Sequence, residues 1–400
     1  MIRLDEEIFH VCLYRNYLNP IRLRYNKSRL KELRQKLHKF PELSGSEHNT
    51  ARLIKQELHK YQPDHIMDNL GGNGVAAIFY GKETGPSVLF RCDMDALPIR
   101  ETNPFSYKSS YEGVAHKCGH DGHMAIILGV AEAIYNDPPR KGSIILLFQP
   151  SEENGQGAKN VLDDEKFRHI RPDFVFALHN LPGYPEGSII LRKGVFASAS
   201  KGMINRLYGR TSHAAEPEKG NSPALAMADI VRDLTFLPQT HSFEDFTLAT
   251  IIHSKLGEVA FGTTPGYAEV MATLRTYSNR DMDLLTDQSI KLVNAHSSRF
   301  NLSVEIDWTE EFPATVNNNE ALATLEQAAK QNNRQIIYVE EPLRWSEDFS
   351  NFTLKYPGVL FGLGSGISHP QLHSPDYDFP ESILDKGIEI FFELYWHYLK

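Results

Sequence analysis

Five short segments of nearly unbroken apolar residues constrain this chain more than any other feature: 74–79, 87–91, 143–149, 174–178 and 359–363. A strand covered on one face alternates apolar and polar residues. A strand that is apolar throughout has both faces buried, as in a sheet with parallel pairs between layers of helix. Helical spacing fills some of the intervals. Leu30, Leu33, Leu37 and then Leu53, Ile54, Leu58 predict two helices within 28–58, separated by the Pro/Gly-punctuated stretch Phe40-Pro41-Glu42-Leu43-Ser44-Gly45. Met124, Ile127, Leu128, Val130, Ala131 and Ile134 predict a helix over 122–135. Strand and helix in alternation imply an α/β sandwich.

The middle of the chain has another pattern. A strand at 202–208, a helix at 222–237, strands at 246–255 and 267–277, a helix at 279–300 and a strand at 302–308 give the order β-α-β-β-α-β. That is a ferredoxin-like unit, complete as a small domain. The expected organisation is an insertion at 198–308 into a catalytic domain made of 1–197 and 309–400. A chain of 400 residues is long enough for two such domains.

Composition removes several function classes. Lys+Arg 42 against Asp+Glu 51 leaves a net charge of −9, without the overall basic signature of a nucleic-acid binder. Three cysteines, Cys12, Cys92 and Cys118, make no disulfide framework, so a reducing compartment is expected, where a special cysteine is a metal ligand or a nucleophile. The apolar run at 144–148 is far below the roughly 20 residues of a bilayer-spanning helix. Asp5, Glu6 and Glu7 precede any apolar run and Arg15 follows soon after, unlike a secretory signal, so the cytoplasm is expected and no membrane partner.

The densest polar cluster is His116-Lys117-Cys118-Gly119-His120-Asp121-Gly122-His123, just before the predicted helix 122–135. In an extended segment, Cys118 and His120 would share a face and reach one metal. A helix N-terminus would also favour the thiolate of Cys118. Three strand ends add to it: Asp93-Met94-Asp95 after 87–91, Glu152-Glu153 after 143–149, and His179 after 174–178. In open α/β sheets the active site lies outside the carboxyl ends of the strands. Adjacent carboxylates diverge there, so one can hold a metal while its neighbour takes a proton from metal-activated water. No Gly-x-Ser-x-Gly or Gly-x-Gly-x-x-Gly stretch points to a serine nucleophile or a nucleotide.

On these motifs the chain resembles the aminoacylase/carboxypeptidase family of dinuclear metallopeptidases, peptidase family M20, and within it the amidohydrolase branch of hippurate hydrolases, N-acyl-amino-acid deacylases and auxin-conjugate hydrolases. The resemblance runs from about Arg34 to the C-terminus. It rests on Leu37-His38-Lys39-Phe40-Pro41-Glu42-Leu43-Ser44, Arg91-Cys92-Asp93-Met94-Asp95-Ala96-Leu97-Pro98, Cys118-Gly119-His120-Asp121-Gly122-His123, Gln149-Pro150-Ser151-Glu152-Glu153, Ser212-His213-Ala214-Ala215, Ser346-Glu347-Asp348-Phe349 and Leu372-His373-Ser374-Pro375. It implies a mixed-sheet α/β catalytic domain with an inserted lid and dimerisation domain. It implies two divalent ions (Zn, Mn, Ni or Co) held by Cys118, His120, Glu153, His179 and His373, with Glu152 as general base. His369 is the rival of His373, and His116 and His123 carry no ligand role. Asp95 and Asp121 are expected to orient ligating imidazoles. Arg275 and His213 are expected to bind substrate, His213 from the neighbouring chain of a homodimer.

The implied reaction is cleavage of the amide of an N-acyl amino acid or a related small conjugate. A dipeptidase or aminoacylase with another pocket, or a binding protein without turnover, are the alternatives; the retained Glu152 argues against the last. Two departures stand out. Gly262 occupies the position where the family usually has an Asn, and the first two dozen residues, with Cys12 and Arg22-Leu23-Arg24, have no counterpart.

Overall fold

The computed structural model describes residues 23–400; the expectations that fell on Asp5, Glu6, Glu7, Cys12, Arg15 and Arg22 lie outside the described residues. Two helices come first, α1 (Lys27–Lys39) and α2 (His48–His59). The side chain of Asn26 caps α1 by accepting the Arg29 N–H at 3.1 Å. Leu30, Leu33 and Leu37 are buried as the spacing predicts, but so are Arg34 and His38 on the same stripe.

The first part of the large sheet follows: β1 (His65–Leu70), β2 (Gly74–Tyr80), β3 (Glu83–Asp93), then helix α3 (His120–Asn136), β4 (Lys141–Gln149), β5 (Phe174–Pro182) and β6 (Ile189–Leu191). Next come β7 (Ala199–Tyr208), α4 (Ala224–Thr240), β8 (Thr247–Leu256), β9 (Tyr267–Thr276), α5 (Asn279–Arg299) and β10 (Ser303–Phe312). The chain then returns through α6 (Asn319–Gln331), β11 (Ile336–Tyr338), β12 (Gly358–Gly366) and α7 (Leu384–Leu399).

The large sheet has eight strands in the order β1-β2-β4-β3-β5-β12-β6-β11. Its centre, β4-β3-β5-β12, is parallel, and β1, β2 and β6 make the antiparallel pairings that render it mixed. Alternate residues explain why the central strands are apolar throughout. Ala77, Phe79, Val88 and Phe90 enter one core with α1, α2, α3, α6 and α7, whereas Ala76, Ile78 and Leu89 enter a second core on the opposite face. Parallel strands end on the same side, so β3, β4, β5 and β12 deliver their last residues to one edge.

The second sheet has the order β8-β9-β7-β10 and is antiparallel throughout. Alternate residues of β9 are buried, as suits a sheet covered on one face. Met203, Leu207 and Val270 meet Ile230 and Leu234 of α4 and Leu285 of α5 in that core. Among the described residues, no helix is long and apolar enough to cross a membrane.

Candidate active site

The edge where β3, β4 and β5 end carries the predicted cluster, though not by the local geometry the spacing suggested. Helix α3 already begins at His120, and Gly119 before it has φ +96°. Cys118 and His120 are therefore joined by a left-handed glycine turn, not by an extended segment. A Cβ on Gly119 would meet Asn180 Oδ1 at 2.3 Å, so both the backbone conformation and the space demand glycine. At the end of β4, Ser151 also has a positive φ of 54°, with its N–H held by buried Glu47 at 2.8 Å, and this turn projects Glu152 and Glu153 in succession. His179 is not a strand-end residue: β5 continues through it to Pro182.

Two imidazoles are fixed in the same sense. His120 Nδ1 lies 2.9 Å from the main-chain oxygen of Asp95, and His179 Nδ1 lies 2.9 Å from that of Asn180. A carbonyl only accepts, so each Nδ1 carries a proton and each Nε2 is the atom left to face the other groups of the cluster. His179 Nε2 is 3.4 Å from Cys118 Sγ. His120 Nε2 is 3.8 Å from Glu153 Oε1 and 4.0 Å from Glu152 Oε2. Glu153 Oε2 is 3.7 Å from His373 Nε2. Cys118, His120 and His179, and again Cys118, Glu153 and His373, offer ligand atoms within 4.8 Å of one another.

The residues present suit divalent cations. His120 Nε2 and Glu153 Oε1 are buried without a hydrogen-bond partner, an expensive arrangement unless something between them is shared. The donors are neutral imidazoles, a thiol and carboxylates, the set that first-row metals accept. The electrostatics agree. Burial, then Glu347 and Glu153, push the Glu152 carboxyl well above its ordinary range. Burial raises Glu153 to about 8 against the pull of His120. Burial alone would lower His120, but Asp93 and then Asp95 and Glu153 outweigh it and raise the ring to about 10. Burial followed by Glu153 and Glu152 pushes the Cys118 thiol up, so the helix N-terminus does not by itself yield a thiolate. A divalent cation among these acidic groups would favour their ionised forms.

Other expectations divide. Asp95 does brace the site: its Oδ2 accepts the Glu153 N–H at 2.9 Å and the Ser44 hydroxyl at 2.7 Å, and its Oδ1 is 3.4 Å from His120 Nδ1. Asp121 does not join the imidazoles of His120 and His179. It faces α1, at 2.8 Å from both Arg34 Nε and His38 Nδ1, because successive helical residues point about 100° apart. His123 is occupied on both nitrogens, by Asp93 Oδ1 at 2.7 Å and Asn180 at 2.5 Å. His116 is buried with neither nitrogen paired. His369 Nε2 turns to the Asp378 main-chain oxygen at 2.6 Å, which leaves His373 facing Glu153. His373 comes from a loop beyond β12 with φ +64° and a half-exposed side chain, so it is not a fourth strand-end contribution.

A cavity of about 580 Å3 opens over Cys118, Glu152 and Glu153. Leu181, Tyr184 and Trp345 give it apolar walls, and Arg275 on β9 and Phe312 on β10 close it from the second sheet. Arg275 donates to the Arg344 main-chain oxygen at 2.9 Å and to the Ser346 hydroxyl at 3.2 Å. His213 stays away. It is exposed on a two-residue ribbon, Ser212–His213 paired with Thr263–Thr264, and is not among the residues that line the cavity. A Cβ on Gly262 would meet nothing within 4 Å, so steric crowding does not account for the glycine.

Several residues of the site were not assigned a role from sequence. Arg91, fully buried, ion-pairs with Asp93 at 2.8 Å, Glu347 at 2.9 Å and Asp348 at 2.7 Å, and so offsets part of the negative charge behind Glu152. The signal was available in a charged residue, Arg91, set inside an otherwise apolar strand, since such a charge is buried only when paired.

Comparison with known proteins gives the family. The family model described as peptidase family M20/M25/M40 matches residues 89–397. Thermostable carboxypeptidase 1 of Saccharolobus solfataricus is 30% identical over 370 residues, covering 89% of this chain and 92% of the relative. Hippurate hydrolase of Campylobacter jejuni is 27% identical over 371 residues, covering 92% and 96%. A solved Bacillus subtilis protein, described as a dinuclear metal-binding peptidase of the M20 family, superposes with a TM-score of 0.78 at 26% identity, covering 92% of this chain and 97% of its own.

Proposed function

This chain belongs to peptidase family M20/M25/M40 and is a hydrolase of amide or peptide bonds, and from that premise we propose that it is a two-metal amidohydrolase of N-acyl amino acids or related small conjugates. The observation that carries the reading is the facing pair of unpartnered atoms, His120 Nε2 and Glu153 Oε1, of which Glu153 lines a cavity that also holds Glu152 and Arg275. Cys118, His120, Glu153, His179 and His373 would hold the ions. Bound divalent cations supply Lewis acidity and bring the pKa of a coordinated water to about 7.

The chain's own groups do the rest. Glu152 takes a proton from the attacking water and delivers it to the leaving amine, a part suited to a carboxyl whose proton affinity is raised by burial and by its neighbours. The Arg275 guanidinium receives the carboxylate of the amino-acid half, and the Leu181, Tyr184 and Trp345 walls take the acyl group. Asp95 holds the Glu153 main chain and the His120 ring in register.

The inserted sheet supports a homodimer in which His213 serves the neighbouring chain. β8 is an edge strand that leaves Leu248, Ile252 and Leu256 exposed, and Val259 and Phe261 in the loop beyond it are almost wholly in solvent. His213 lies on the ribbon beside that loop, displayed outward. Such a histidine would donate a hydrogen bond to the developing oxyanion.

The deciding experiment is to strip the metal, restore Mn, Zn, Co or Ni singly, and assay N-acetyl, N-benzoyl and indole-acyl amino acids beside dipeptides. Hydrolysis of the acyl amino acids that needs the restored ion is the expected result. Preference for dipeptides would move the substrate class, and no metal-dependent turnover of any member would overturn the reading.

A further inference from the structure

The half-exposed His373 sits on a loop in a left-handed conformation, which is weak support for a ligand that must hold still. What fixes the loop is a buried charge chain behind it. Lys117 is wholly buried, and its ammonium reaches three acceptors: Glu101 Oε1 at 2.6 Å, Asn103 Oδ1 at 3.0 Å and the Tyr377 main-chain oxygen at 2.7 Å. Three donors meet three acceptors, so the buried cation is satisfied. The main-chain oxygen of Lys117 also accepts the His373 N–H at 2.8 Å. One residue therefore grips the loop at 373 and again at 377.

Its neighbours extend the grip. The Thr102 N–H donates to the Pro375 oxygen at 3.0 Å, and Asn103 Nδ2 to the Asp376 oxygen at 2.9 Å. Glu101 is anchored in turn by His38 Nε2 at 2.9 Å and the Ser109 N–H at 2.7 Å. His38 leads through Asp121 to Arg34, which pairs with Asp378 at the far side of the loop, where the Tyr107 hydroxyl adds a bond of 2.7 Å. The frame connects α1, the start of α3 and loop 373–378 without touching the cavity.

We propose that Lys117, with Glu101, is a positioning residue for the second metal: it sets the His373 imidazole against Glu153 by clamping the loop between residues 373 and 377. The inference rests on His373 being a ligand, as proposed above. Without the clamp the loop relaxes toward solvent, and the ion that depends on His373 is lost while the ion held by its other ligands stays.

The test uses the full chain, equilibrated with Mn or Zn and then dialysed against a weak chelator before elemental analysis. Wild type should retain two ions and His373→Ala one. Lys117→Met should behave like His373→Ala, with the weaker ion bound about 10–100-fold less tightly, the usual effect of losing an outer partner of a ligand. Because the single change leaves Glu101 without its ammonium, the double variant Glu101→Gln/Lys117→Met provides a neutral replacement of both partners. Amide exchange across 370–378 in the metal-free protein should quicken in both variants. Tyr395→Phe, which removes a 2.5 Å bond to Asp137 at the other end of α3, is a control for general destabilisation and should keep two ions. Two ions and unchanged exchange in the folded Lys117 variants would overturn the proposal. Wild type without retained metal, or His373→Ala with two ions, would instead overturn the ligand assignment beneath it.

Discussion

The Nε2 atom of His120 and the Oε1 atom of Glu153 face each other across 3.8 Å, both buried and both without a hydrogen-bond partner among the described residues. His120 Nδ1 is engaged with the Asp95 carbonyl, so Nε2 is the ring atom left to face Glu153. Burying two such polar atoms unpartnered costs about 1–3 kcal/mol for each group unless a third party engages both.

Elemental analysis of active protein should therefore find two divalent ions per chain. Cys118→Ser should release at least one of them to a chelator, since a hydroxyl is the poorer ligand. Less than one ion in fully active wild type defeats the expectation.

The adjacent glutamates should separate cleanly. Glu152→Gln keeps the shape and the metal but loses the proton carrier, so kcat should fall by about 10²–10⁴-fold. Glu153→Gln should lose metal first and activity as a consequence. Metal titration read beside kcat distinguishes the two, and the opposite pattern would exchange their parts.

Arg275→Met should raise KM about 10–100-fold for substrates with a free carboxylate, the effect of one charged hydrogen bond. The same substrates as primary amides should be nearly indifferent to the change. Equal losses for acid and amide would assign Arg275 to cavity structure alone.

Hybrid dimers test His213. Glu152→Gln chains and His213→Ala chains, each inactive alone, should recover part of the wild-type rate when mixed and allowed to exchange subunits. Mass-verified hybrids that stay silent would confine each site to its own chain.

Glu101 predicts an acid limit of stability. Although burial alone would raise it, bonds from His38 and Lys117 prevail and lower its carboxyl to about 2. A depressed folded value means stability present above the unfolded value and lost as the pH falls through the folded one. Urea midpoints of metal-free protein should thus decline from about pH 4.5 toward pH 2 more steeply for wild type than for Glu101→Gln. Parallel curves would remove Glu101 from the acid transition.

Much of this was legible in sequence for physical reasons. Strands buried on both faces declare themselves as continuous apolar runs, and the second sheet declares itself by alternation, as in β9. β6 and β11, three residues each, are too short to carry a period, and α6 and α7 followed no local signal that was read. The residues of the candidate metal cluster stood in compact motifs. Asp121 was misplaced because neighbours on a helix diverge. Arg91 was marked by its charge within an apolar strand, but Lys117 and Glu101 stayed silent because the contacts that matter, as between Lys117 and Tyr377, are distant in sequence and have no periodicity to betray them.

The strand order also dictates a schedule. β7 to β10 all come from the continuous stretch 199–312, their widest pairing joining Ser200 to Phe312, whereas β5 waits for β12, which it first meets at Val175 opposite Gly358. A growing chain can thus complete the second sheet while one flank of β5 is a bare row of main-chain donors and acceptors, a template for pairing with other chains. A fragment that stops before Gly358 would contain Cys118, His120, Glu153 and His179, and would aggregate before it could assemble a site around them.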